Sequence, residues 1–204
     1  MKRMPVIFVG HGSPTNAIED NEFSREWARI GEQLPAPRAI LAVSAHWYIK
    51  GSKVTAMDKP ETIHDFFGFP KELFDMQYPA PGSKDLAERV IAIAGKDIVK
   101  EDLTWGLDHG TWSVLCKMFP SASVPVVQLS LDSTRDEAWH FEFSKKLKPL
   151  RDEGILIIAS GNIVHNLGRI VWEDRAFDWA IDFDKHIKEC ILKKDYKAVV
   201  GYKK

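Results

Sequence analysis

Gly154-Ile155-Leu156-Ile157-Ile158-Ala159-Ser160 stays apolar until its final serine. A strand with one face in water alternates apolar and polar residues. This stretch does not, so it reads as a strand buried on both faces of a sheet. Met4 to Val9 (MPVIFV) and Ala39 to Ser44 (AILAVS) have the same character. Val124 to Leu131 (VPVVQLSL) is a further strand, and Pro125 marks its start. Lys53 to Met57 (KVTAM) is shorter and more polar, which suits a sheet edge or a hairpin partner.

Helical patterns fall between these runs. From about Asn21 to Leu34, Phe23, Trp27, Ile30 and Leu34 recur at helical spacing, and Pro35 and Pro37 end the stretch. Ser83 caps a helix that runs to Ala94 and stops at Gly95. Further helices are expected from Thr111, over Thr134 to Asp152, and from about Trp172 to Lys193. Pro60 to Pro81 is too aromatic to stay solvated and reads as a structured loop. The alternation predicts an α/β fold with a mainly parallel or mixed sheet and helices on both faces. Residues 1–204 are expected to form a single catalytic domain, complete or truncated at its C-terminus.

The formal net charge of −1 offers no basic excess for nucleic acid or an anionic membrane. Gly10 and His11 cut the N-terminal apolar run too short for a signal peptide, and no stretch approaches the ~20 apolar residues of a membrane helix. The two cysteines, Cys116 and Cys190, form no CxxC pair, which argues against a disulfide scaffold and a thiolate zinc site. A cytoplasmic location is the default expectation. Assembly into an oligomer is left open.

Chemistry gathers on the seven histidines. His11 follows strand MPVIFV, His46 follows AILAVS, and His165 lies shortly after GILIIAS. Ligands of an open α/β sheet bind outside the carboxyl ends of its strands, so residues far apart in sequence can converge there. Imidazole is the commonest side-chain ligand for zinc and iron, and a set of three with open positions is catalytic in type. A lone histidine after a strand is more often a packed or capping residue; three at strand ends strengthen the metal reading. Gly10 and Gly12 flank His11 and let the backbone turn sharply.

His109, in Leu-Asp-His-Gly-Thr-Trp, precedes a helix and is a fourth ligand, a proton-transfer residue or a capping residue. His64 either lines a pocket for a flat apolar substrate or packs its loop on the core. His140 and His186 read as surface residues, and Cys116 as buried and inert. Ser13 and Ser44 lack the GxSxG elbow of a nucleophilic serine.

Together, Gly10-His11-Gly12-Ser13-Pro14, Ser44-Ala45-His46-Trp47, Asp108-His109-Gly110-Thr111-Trp112 and Ser160-Gly161-Asn162-Ile163-Val164-His165-Asn166-Leu167 resemble the class III extradiol ring-cleavage dioxygenases. Ile63 to Pro70 with Tyr78-Pro79-Ala80 is similar to the DOPA 4,5-dioxygenase-like branch. The resemblance implies a metal held by His11 and His46, with His165 a further ligand or the active-site base. It makes His109 an acid/base. The implied partners are a catechol-type aromatic substrate and O₂. Iron(II) suits O₂ chemistry; zinc, having no redox chemistry, would mean hydrolysis or an ion acquired in preparation.

The family also places a ligand in a C-terminal His-x-x-Pro-Leu segment. None follows His165; His186 is followed by Ile187-Lys188-Glu189. The competing readings are a zinc-dependent hydrolase and a non-catalytic metal-binding protein on the same scaffold.

Overall fold

The computed structural model describes residues 3–171, 173 and 175–203. In chain order its strands are β1 (Val6–Val9), β2 (Ala39–Ser44), β3 (Tyr48–Ile49), β4 (Ser52–Thr55), β5 (Val99–Asp102), β6 (Val126–Gln128), β7 (Leu131–Asp132) and β8 (Ile155–Ser160). Its α-helices are α1 (Glu22–Gln33), α2 (Lys71–Asp75), α3 (Lys84–Ala94), α4 (His109–Met118), α5 (Glu137–Lys146), α6 (Asp178–Leu192) and α7 (Tyr196–Val200).

The four strands β1, β8, β2 and β6 lie side by side in that order, all parallel. Alternate residues serve opposite faces. Ile40, Ala42, Leu156 and Ile158 join a core with Trp27 of α1 and Trp112 and Leu115 of α4. Leu41, Val127, Ile155 and Ile157 join a second core with Leu86 and Val90 of α3 and Phe143 of α5. That is why β2, β6 and β8 lack polar alternation: both of their faces are covered, whereas the edge strand β1, expected to be buried, leaves Val6 and Phe8 exposed. The α/β expectation is borne out.

The helices obey their end signals. Asn21 caps α1 and forms a reciprocal capping box with Ser24. Ser83 caps α3, and Gly95 follows it at φ 111°, a conformation open to glycine. Helices α1 and α4 approach closely at Gly31, where even a Cβ would stand 2.1 Å from the Met118 carbonyl oxygen.

Several boundaries moved. The expected Lys53 to Met57 strand shifts to β4, Ser52–Thr55, which pairs in parallel with β5 rather than in a hairpin. The sequence reading missed β5, because Val99-Lys100-Glu101-Asp102 buries only its two end residues. Val124 to Leu131 divides into β6 and β7, and β7 pairs with β3 instead of the main sheet. The Thr134 to Asp152 helix shortens to α5, with a 3-10 segment over Lys148–Glu153. The aromatic stretch is irregular apart from α2. The last helix begins at Asp178, and Trp172, its expected start, lies outside the described residues. Helix α4 begins at His109 rather than Thr111, with Asp108 as its cap.

Strand register sets up the site. Val9 and Ser44 are both level with Ser160, so β1, β8 and β2 end together. Their following loops leave one edge of the sheet. Among the described residues no helix is long and apolar enough to cross a membrane.

Candidate metal centre

His11, His46 and His109 converge at that edge. Each offers a ring nitrogen, and the three donors all lie within 4.8 Å of one another. The ring centroids are 4.9 Å apart for His11 and His46, 5.4 Å for His11 and His109, and 3.9 Å for His46 and His109. His11 and His109 are buried, and His46 is half-buried.

The backbone around His11 is held firmly. Gly12 sits at φ 61°, and its N–H donates to Asn162 Oδ1 at 3.0 Å. Asn16 Nδ2 donates to the His11 carbonyl at 3.1 Å. Only glycine adopts that conformation without strain, so the glycine after His11 is a geometric requirement.

Hydrogen bonds also fix the His11 tautomer. The Ser160 hydroxyl, at the last position of β8, donates to the Gly110 carbonyl. Its proton is therefore committed, and Ser160 Oγ accepts from His11 Nδ1 at 2.6 Å. The His11 proton sits on Nδ1, leaving a lone pair on Nε2. That Nε2 lies 3.1 Å from His46 Nε2. Two nitrogens each ~2.1 Å from one ion can be up to about 4 Å apart, so this pair fits a shared cation.

Asp65 stands behind the other two rings. The His109 backbone N–H donates to Asp65 Oδ1 at 2.9 Å, and His109 Nδ1 lies 2.9 Å from the same oxygen. His46 Nδ1 lies 3.5 Å from Asp65 Oδ2. Electrostatics agree with neutral rings at His11 and His46. Burial, and then the charges of His46 and His109, lower the His11 pKa to about 3. Burial, and then His109, lower that of His46 to about 4. Burial pushes the Asp65 carboxyl up, but bonding and charge from His109 outweigh it and hold it below its usual value.

Gly110 completes the wall. A Cβ there would stand 2.5 Å from Ser44 Oγ, 3.0 Å from His46 Cδ2 and 3.1 Å from His11 Nδ1. Gly110→Ala is expected to retain the fold yet weaken metal binding roughly tenfold or more, because it displaces the groups that orient two donors. Chelator-competition titration alongside circular dichroism measures this; unchanged affinity would refute the contact.

His165 is not part of the cluster of three. It lies exposed on the loop after β8, yet its charge contributes to lowering both His11 and His46. His64 packs among Phe66, Phe74 and Trp112, with Nε2 3.0 Å from the Met76 carbonyl oxygen. Its loop therefore packs on the core. His140 Nε2 lies 3.0 Å from the Asp132 carbonyl oxygen, and His186 is exposed on α6. Cys116 is half-buried and contacts the Ser113 carbonyl; burial pushes its thiol up to about 11, in keeping with an inert residue.

The sequence reading did not single out Asp65 or the Ser160 hydroxyl as site residues. Both stood inside quoted motifs, but no periodicity marks a carboxylate in a loop as the partner of a distant imidazole.

The family described as "Catalytic LigB subunit of aromatic ring-opening dioxygenase" matches residues 4–204. This chain belongs to that family. With it comes membership of the metal-dependent extradiol dioxygenases, which are oxidoreductases. A protein of Escherichia coli strain K12 named 4,5-DOPA dioxygenase extradiol is 51% identical, over 91% of this chain and 70% of its own length. One of the same name from Beta vulgaris is 38% identical, over 96% of this chain and 76% of its own. A solved E. coli K12 structure, described as the uncharacterized protein JW3007, superposes with a TM-score of 0.79. It is 46% identical, covering 92% of this chain and 72% of that one. This LigB-family chain therefore shares its fold with that structure.

Proposed function

We propose that this chain is an iron(II)-dependent extradiol dioxygenase that opens the ring of a DOPA-like catechol with O₂. The observation that carries the reading is the convergence of three histidine nitrogens at the carboxyl edge of a parallel sheet, in a LigB-family chain. Residues 1–204 act as one catalytic domain. Two free cysteines accord with a reducing cytoplasmic setting.

His11 and His46 hold the metal. Bound iron(II) would supply open positions for both catechol oxygens and the redox chemistry that O₂ requires. Asp65 engages His109 Nδ1, which leaves the other ring nitrogen of His109 to take a phenolic proton and later return it. His165, on the mouth loop, is a second proton acceptor or a further ligand. Phe66 sets its ring edge-on to His109 at 5.6 Å and provides an apolar wall that excludes water beside a flat substrate. Hydrolysis by the same histidines gains no support from the family or its named relatives.

The test is oxygen uptake by iron(II)-loaded protein with L-DOPA and other catechols. Rapid uptake with a yellow ring-opened product is expected, and none from zinc-loaded protein. Absence of uptake with every catechol, at full iron loading, would sink the proposal.

A further inference from the structure

We infer that Asp65 is a positioning residue that sets the tautomers of His46 and His109 together, turning a ring nitrogen lone pair of each toward the site. This rests on the dioxygenase reading for its meaning, but the contact geometry stands independently.

The two Asp65 oxygens are divided between two rings. Oδ1 takes the His109 backbone N–H and faces His109 Nδ1, both at 2.9 Å. Oδ2 faces His46 Nδ1 at 3.5 Å. A carboxylate accepts and does not donate. His109 Nδ1, within hydrogen-bond distance, therefore carries its ring proton, and the longer charge contact of Oδ2 draws the His46 proton to Nδ1 as well, which leaves Nε2 of each neutral ring free. Ser160 imposes the same choice on His11 by a separate route, since its hydroxyl proton is spent on Gly110. All three rings thus present Nε2 as an acceptor, and facing lone pairs 3.1 Å apart on His11 and His46 favour a cation between them.

Asp65 also links two roles. One oxygen serves a metal-holding ring, and the other serves the ring that exchanges a proton. The residue lies on the aromatic loop, and its neighbour Phe66 stacks edge-on against His64, Phe69 and His109. The loop is therefore braced, and Asp65 approaches from a fixed direction.

Asparagine separates this from a structural role. In Asp65→Asn the side-chain oxygen can still accept from the His109 backbone and Nδ1. The amide nitrogen, facing His46, can only donate. His46 must then accept at Nδ1 and carry its proton on Nε2, where it blocks the metal. Removing such an outer partner lowers metal affinity by about 10–100-fold.

The experiment has two parts. Ring nitrogen-15 NMR of the full wild-type chain, loaded with diamagnetic zinc, should show the His46 and His109 protons on Nδ1. Chelator competition should show zinc affinity falling by about 10–100-fold in Asp65→Asn. Asp65→Ala, which removes both acceptors, should release His109 into a mixture of tautomers. A wild-type His109 proton on Nε2 would overturn the inference, as would zinc affinity unchanged in both folded variants. The wild-type spectrum decides the matter even if a variant fails to fold. Failure of the dioxygenase reading is seen separately, as no oxygen uptake by iron-loaded wild type, and leaves the tautomers untouched.

Discussion

His11→Ala is expected to abolish stoichiometric metal binding and, with it, turnover. His11 is 2% exposed, and its ring is anchored through Nδ1 to Ser160, so Nε2 cannot turn away from the site. Losing an outer partner of a ligand costs about 10–100-fold in affinity, so losing the ligand itself should cost more than about 100-fold. The fold should survive. His11 lies in a loop beyond β1, and neither core cluster includes it. Elemental analysis after gel filtration, with a thermal melt as control, checks both halves. Retention of a full metal complement by the folded variant would show that the ion binds elsewhere.

His109→Gln should separate binding from chemistry. Here the metal is expected to stay, within about tenfold of the wild-type affinity, because the His11 and His46 nitrogens remain. Turnover should fall by about 10²–10⁴-fold, the usual contribution of a positioned proton-transfer group. The backbone N–H of residue 109 can still donate to Asp65, so the start of α4 should be preserved. Oxygen uptake at saturating iron and catechol reads the rate, and chelator competition reads the affinity. Metal loss equal to that of His11→Ala would make His109 a ligand rather than an acid/base.

Much of the fold was legible because the main-sheet strands declare themselves. A strand covered on both faces must be apolar throughout, and Ala39–Ser44 and Ile155–Ser160 are. Cap residues Asn21 and Ser83 set helix starts by local hydrogen bonds, which composition can signal. Strand β5 was not legible. Its Lys100 and Glu101 face solvent, and its pairing with β4 is a long-range contact. Nor was the division of Val124 to Leu131, because β7 leaves the main sheet for β3.

The site divides in the same way. His11 and His46 were visible as histidines just past apolar runs, and parallel register brings those ends level at Ser160. His165 shares that sequence signal but is exposed outside the cluster, while His109, read from a helix start, takes the third place. Sequence cannot choose between them, since a loop after a strand end can point its side chain inward or out. By itself the sequence determined the parallel sheet, the strand-end edge where histidines gather and the presence of His11 and His46 there, because each is a local pattern of burial and turn. Only the tertiary structure brought His109, already a candidate, together with those two and gave it Asp65 as a partner. That contact spans 44 residues between a loop and a helix start, and hydrogen-bond direction in space, not any periodicity of the chain, defines it.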